Sequence, residues 1–349
     1  MSKIHSRTTG KKRGKLNLIV LVLLTLMLFT SLPGCTEKES AGPIHLKVVD
    51  LPYIPFVTFY IAQEEGFFAE QGLEVEFVKF TSVTQALPLL VQGDLDVAAG
   101  SINAGLFNAI AQDMNIKIVA GRDYIDADQG NMALVVRKDL YESGVIDTVA
   151  EVKGKQVPMP CTACINDYGM SQILKAADLT LNDVVITKMS PQDIITALGS
   201  GSVEVATLGS LQIGQVKGLG YAQTLVLFSD EIPGFQVSYV MFGPTLLNDN
   251  PDTGKKFMIA YLKGARQYAE GKTERNLEIA EKYIGMDRDT LLNSPWPPQN
   301  SGGRVNVEDV LTFQDWAYDS GYLDKKVTEE QLIDTSFVDY ANTKLGATP

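Results

Sequence analysis

The chain has 349 residues with 30 basic and 42 acidic side chains, a formal net charge of −12. Its first 34 residues hold six of the basic side chains (Lys3, Arg7, Lys11, Lys12, Arg13, Lys15) and no acidic one, so the remainder carries 24 against 42, or −18. A surface this acidic repels nucleic acid and anionic lipid and excludes both as partners of the folded body. The roughly 315 residues left are enough for two lobes, each with its own core.

The basic amino terminus precedes an apolar run from Leu18 to Leu24 that extends through Phe29. This charged segment and short apolar segment read as a secretory signal peptide over residues 1–34, too short for a comfortable membrane span. It ends in Leu32-Pro33-Gly34-Cys35, which resembles a bacterial lipobox. The resemblance implies that Cys35 receives a diacylglycerol and becomes the mature amino terminus; the alternative is a plain signal with an incidental cysteine. Residues 35–43 are polar and read as a tether. No stretch after Phe29 is long and apolar enough to cross a bilayer, so anchoring rests on lipid at Cys35.

Ile44 to Val49 is a short apolar and β-branched run stopped by Asp50 and Pro52, which predicts a strand. Val57, Tyr60 and Ile61 then recur at helical spacing, Gly66 breaks the helix, Phe67 and Phe68 form an expected apolar lid, and Leu73 to Val78 alternates as a strand. Such a βαβ unit leaves Tyr53, Ile54 and Phe56 in the loop at the carboxyl edge of the sheet, where open α/β sheets bind ligands. Ser82 with Gln85 makes a capping-box start, Val83, Ala86, Leu87, Leu90 and Val91 trace a buried face, and Pro88 is expected to kink that helix. Gly93 closes it, Leu95 to Ala99 is the next strand, and Gly100-Ser101 opens a turn.

The pattern returns at residues 190–210. Ser190-Pro191 starts a helix, Gly201 ends it, Val203 to Leu208 is a strand and Gly209-Ser210 follows; in each copy eleven positions separate the opening serine from the closing glycine. Two similar halves predict two α/β lobes facing one another. Strands are expected at Met132 to Val136, around Lys153 to Val157, at Val184 to Thr187, at Leu225 to Phe228 and at Val237 to Phe242. Crossings near residues 124–131 and 230–236 make a hinge. The remainder is helical, with Phe257, Tyr261, Leu262, Ala265 and Tyr268 on one face.

Several of these segments resemble the solute-binding proteins of ABC importers for nitrate, sulfonates, taurine and thiamine-precursor-like molecules. The matching residues are the Pro52 to Pro55 turn, Ile61-Ala62, Glu65-Gly66-Phe67-Phe68, Gln71-Gly72-Leu73-Glu74-Val75 and the terminal helix Asp309 to Leu323 with its Gly321-Tyr322-Leu323 ending. The resemblance implies an α/β chain with the hinged, two-lobed periplasmic-binding-protein fold (type II), each lobe a mixed sheet flanked by helices. It places the first part of lobe I at residues 44–125, lobe II at 126–232 and the return to lobe I at 233–349. It further implies an extracytoplasmic, lipid-anchored monomer at the cell membrane, with a small-molecule solute and the permease and ATPase subunits as partners and no cofactor.

The Gly-Ser steps at 100–101 and 209–210 follow strands and precede helices, so free amides and the hydroxyls of Ser101 and Ser210 face the cleft, or else each step is merely a tight turn. Ser82, Asn103 and the Thr162-Ala163 step offer the same kind of donor. Such donors suit a carboxylate, sulfonate, nitrate or ring carbonyl alike. Tyr53, Phe56, Tyr124, Tyr168, Phe235 and Trp296 stand in loops or at element ends; together they favour a planar ligand stacked between rings, with Trp296 in its Pro-Trp-Pro-Pro segment as an aromatic wall. Arg122 is the candidate cation for an anionic solute, or a salt-bridge residue.

Cys161 and Cys164 read as a local disulfide or two small buried residues. With His45 the single histidine after the signal, no metal site is expected. The ligand reading leans to an aromatic heterocycle such as riboflavin or a vitamin precursor; the rival is a small oxyanion (sulfonate, taurine or nitrate) held by Arg122 and helix amides. No nucleophile elbow, P-loop or HExxH pattern occurs. The pyrimidine-forming enzymes of thiamine synthesis share the fold, but their cysteine cluster, catalytic histidine and cofactor lysine have at best the CTAC remnant here, so an enzyme is not expected. A module that reports the ligand to a membrane sensor would leave the same sequence.

Overall fold

The computed structural model describes residues 42–128 and 130–346; the signal segment, Cys35 and most of the tether lie outside them. Strands β1 (Ile44–Asp50), β2 (Leu73–Lys79), β3 (Val97–Ser101) and β4 (Lys117–Gly121) build one sheet. The chain then crosses to β5 (Met132–Arg137), β6 (Gln156–Met159), β7 (Val185–Lys188), β8 (Val205–Gly209) and β9 (Ala222–Leu227), and returns as β10 (Ser238–Phe242). The first sheet has the order β2-β1-β3-β10-β4 and is mixed: β1 runs parallel to β2 and β3, while β10 inserts antiparallel between β3 and β4. In the second lobe β8, β5 and β9 pair antiparallel, β6 and β7 pair in parallel, and β6 runs beside β8.

The helices that matter for the cleft are α1 (Val57–Glu64), α2 (Val83–Gln92), α3 (Ala104–Ala111), α4 (Ile165–Ala176), α5 (Pro191–Ser200), α6 (Ser210–Gly218), α7 (Pro251–Tyr268) and α8 (Val307–Asp319). Helix α7 lays Phe257, Tyr261 and Leu262 against α1, with Phe257 within 6.2 Å of the Phe59 ring and 5.3 Å of the Phe68 ring. Phe68 is therefore a core residue and Phe67 sits half-buried under Lys263, so the pair packs on α7 and makes no lid over the cleft; burying ring area against α7 outweighs exposing it at a rim.

The predicted capping box at Ser82 does not form. The Gln85 side chain instead accepts from the Thr81 amide and hydroxyl, at 3.3 and 2.9 Å, and Ser82 heads α2 with no side-chain cap bond. Pro88 lies inside α2 and cannot donate to the carbonyl of Thr84 one turn back. At the second copy Ser190 does cap its helix, accepting from Asp193 N–H at 3.2 Å.

The two crossings run side by side as an antiparallel ribbon. Ile125 N–H donates to Phe235 C=O, Gly234 N–H to Ile125 C=O, Val237 N–H to Asp123 C=O and Arg122 N–H to Ser238 C=O. Asn131 fastens the start of β5 to this ribbon, donating to Tyr124 C=O and accepting from Asp126 N–H.

Candidate functional site

Between the lobes lies a cavity of about 150 Å³. The first lobe contributes the Leu51 to Phe56 turn after β1, Ser82 to Thr84 at the head of α2, Gly100, Ser101 and Asn103 after β3, Arg122 and Asp123 after β4, Val237 and Ser238 at the start of β10, and Pro297. The second contributes Asn131, Met132, Pro160, Cys161, Cys164, Asn166, Pro191 and Leu208 to Gln212. Both Gly-Ser turns, 100–101 and 209–210, thus border one cavity. The heads of α2, α3, α5 and α6 also border it, and the first amides of a helix have no acceptor within their own helix.

Each polar group is set by its local structure. Asn103 caps α3, accepting from Leu106 N–H at 3.2 Å and donating to Ser101 C=O at 3.1 Å. Ser210 opens α6 directly after β8, whereas α3 starts three residues beyond Ser101, so the two copies of the turn differ in length. Asn166 donates to Thr207 Oγ1 at 3.2 Å. Cys161 and Cys164 are joined as a disulfide with Cα atoms 6.1 Å apart, closing a turn in which Ala163 takes a φ of 53°. That turn touches the opposite lobe, because Ala104 N–H donates to Ala163 C=O at 2.8 Å. On another face the segment after Ile284 reaches across to α6: Gly214 packs on Ser294, and Gln215 Nε2 lies 3.6 Å from Met286 Sδ.

Arg122 has no exposed surface. Its Nη2 donates to Pro55 C=O at 2.8 Å, and its guanidinium carbon lies 4.6 Å from the Phe56 ring centre and 5.0 Å from that of Phe59. Pro55 C=O also accepts from Gln299 Nε2 at 2.7 Å, and Gln299 Oε1 accepts from Thr58 Oγ1. Arg122 and Gln299 together pin the turn that carries Tyr53. Its neighbour Asp123 is 5% exposed and accepts from Ser238 Oγ; burial pushes its carboxyl above the usual range, opposed by the Arg122 charge. Asp167, in the first turn of α4, is 1% exposed; burial pushes its carboxyl up to about 6.

Of the residues singled out in the sequence, Tyr53, Phe56, Ser82, Ser101, Asn103, Arg122 and Ser210 border the cavity. Tyr124, Thr162, Tyr168, Phe235 and Trp296 do not, which corrects the expectation for those five. Tyr124 borders a separate recess with Gly234, Gln236 and Asn300 behind the hinge ribbon. Thr162 points to solvent while Cys161 and Cys164 on either side face inward, the disulfide having turned the chain over. Tyr168 lies a full turn into α4, on the face that packs against α8, with ring centres 4.9 Å from Phe235 and 5.5 Å from Trp316. Trp296 stacks on Tyr268 at 5.2 Å, leaving the adjacent Pro297 to border the cavity; successive side chains of an extended segment point to opposite sides. The aromatic wall is reduced to Tyr53 and Phe56.

Sequence reasoning missed Asp123, Asn131, Asn166, Gln212 and Ser238. Asp123 stood beside Arg122 and Ser238 lay inside the strand expected from Val237, and the pairing of the two crossings is what brings them together. Among the described residues no group of three or more His, Cys, Asp or Glu is placed to hold a metal ion, and no helix is long and apolar enough to cross a membrane.

Two α/β lobes, a paired two-strand hinge and a cavity lined from both sides define a two-lobed binding protein of the periplasmic-binding-protein fold. The NMT1/THI5 like family model matches residues 54–273, and the chain belongs to that family. It is 26% identical over 234 residues to a putative binding protein of Brucella abortus, covering 66% of this chain and 68% of the relative. Among solved structures, the periplasmic nitrate-binding protein NrtA of Synechocystis PCC 6803 superposes with a TM-score of 0.72 at 14% identity, over 87% of this chain and 89% of that one. The periplasmic aliphatic sulphonate binding protein SsuA of Escherichia coli superposes with a TM-score of 0.69 at 18% identity, over 84% of this chain and 92% of that one.

Proposed function

We propose that this protein is the extracytoplasmic solute-binding component of an ABC importer, a lipid-anchored monomer held at the cell membrane through Cys35, that closes on one small solute and delivers it to the permease and ATPase subunits. The observation that carries this reading is the cavity bordered by both Gly-Ser turns and spanned by the hinge ribbon. A solute there touches both lobes at once, so binding energy and lobe closure are coupled. The family and the relatives' names support the same role.

The cavity volume supports a compact organic solute. A cavity of about 150 Å³ is on the scale of one that receives benzene, which favours a compact solute over a tricyclic flavin. Helix amides on several sides favour acceptor oxygens on that solute, such as a carboxylate, a sulfonate or a ring carbonyl. Its lining is otherwise largely apolar, through Leu51, Ile54, Val83, Met132, Leu208 and Leu211, which suits a short carbon body. Titration calorimetry with short sulfonates, short carboxylates, small heterocycles, nitrate and riboflavin tests this. Saturable one-to-one binding of a compact organic member is expected; saturable binding of riboflavin, or of nitrate alone, overturns the reading of the solute.

A further inference from the structure

We infer that Asp123 is a specificity-determining residue of the cleft, and that the solute presents it with an N–H donor: an ammonium, an amino group or a ring N–H. The inference rests on the proposed binding role and adds the chemistry of one end of the solute. Among the described residues, Arg122 and Asp123 are the only charged side chains bordering the cavity, and neither forms an ion pair with a described residue. Their situations differ. Arg122 is turned inward, with Pro55 C=O as acceptor of Nη2 and the rings of Phe56 and Phe59 beside its guanidinium, while its Nε is buried without a partner.

Asp123 accepts from the Ser238 hydroxyl and from its own backbone N–H, while an ionised carboxylate can accept about four hydrogen bonds. At 5% exposure it cannot complete that set from bulk water. A buried carboxylate with open acceptor sites facing a cavity is costly until a donor arrives, and the solute is what arrives. The helix amides supply donors and Asp123 supplies an acceptor. The solute class they select together is therefore compact and two-ended, with acceptor oxygens or a ring acceptor at one end and nitrogen-bound hydrogen at the other.

Three isosteric pairs test this, each exchanging an amino group for methyl: taurine and propane-1-sulfonate, β-alanine and butyrate, 4-aminopyrimidine and 4-methylpyrimidine. Calorimetric titration of the wild-type protein is expected to show the amino member of at least one pair binding about tenfold or more tighter, the scale of one charge-assisted hydrogen bond. In Asp123→Asn, with its circular dichroism unchanged, that preference falls below threefold. Equal binding of both members of every pair that binds overturns the role of Asp123 and leaves the binding role standing. So does a preference that survives in Asp123→Asn. Failure of all six to bind overturns instead the compact-solute reading on which the inference rests. Since the pair comparison is made on wild-type protein, an unstable variant does not remove the test.

Discussion

Replacing Asp167 with Asn removes a charge that the fold encloses. The Asp167 Oδ2 atom accepts from Cys164 N–H at 3.2 Å, while Oδ1 is buried with no partner. Burial lifts the carboxyl from 3.8 to about 6, a difference of about two units, or about 3 kcal/mol of penalty on the ionised form. The sign follows from the direction: a carboxyl raised in the folded state contributes stability that is fully present below about pH 4 and is lost as the pH rises to about 6. Above that the native state bears the whole penalty.

Asn keeps the shape and can still accept from Cys164 N–H, although weakening that cap takes back about 1 kcal/mol. The expected net gain at pH 7.5 is therefore about 2 kcal/mol, turning into a net loss of up to about 1 kcal/mol near pH 4, where the penalty is gone and the weaker cap remains. Urea unfolding followed by circular dichroism at both pH values measures it, because stability extrapolates linearly in urea. Subtracting variant from wild type at each pH cancels the carboxyls common to both proteins, including Asp123 and Asp309, which burial also raises. A variant that is less stable at pH 7.5, or whose advantage is the same at pH 4, refutes the reasoning.

Two further expectations concern the contacts between lobes. A Cβ on Gly214 comes within 2.6 Å of Ser294 Oγ, so Gly214→Val should wedge α6 away from that segment; small-angle scattering should show a larger radius of gyration than wild type, and an unchanged radius contradicts the contact. Replacing both Cys161 and Cys164 by Ser removes the crosslink that closes the Ala163 turn, so the Ala104 amide, bonded to Ala163 C=O at 2.8 Å, should exchange with solvent at least about tenfold faster. Unaltered exchange at Ala104 alongside a confirmed loss of the disulfide means the turn holds without it.

Much of the cleft was legible because its framework is local. The spacing of Val83, Ala86, Leu87 and Leu90 gives α2, and the repeat of serine, helix, glycine, strand and Gly-Ser places two similar edges in one chain. The Gly-Ser turns border the cavity because a strand that ends at a ligand edge leaves its next residues there. The aromatic candidates were less legible. Tyr168 and Trp296 are large rings near loops, and nothing in a one-dimensional pattern says whether a ring covers a cavity or a neighbour. The local rule at Ser82 also failed, since Thr81 competed for the same Gln85.

The sequence alone determined a two-lobed α/β chain with a duplicated ligand edge and two crossings, because helix and strand periods and turn residues act over a few positions. Only the tertiary structure decided how the two charges at the cavity are held. Arg122 and Asp123 are adjacent in the chain, and what separates their roles is packing from afar: Phe56, Phe59 and Pro55 enclose the guanidinium, while the returning strand brings Ser238 to the carboxylate and leaves it at the cavity wall. Burial and partner geometry are sums over contacts distant in sequence, so no reading of the neighbouring residues could have assigned them.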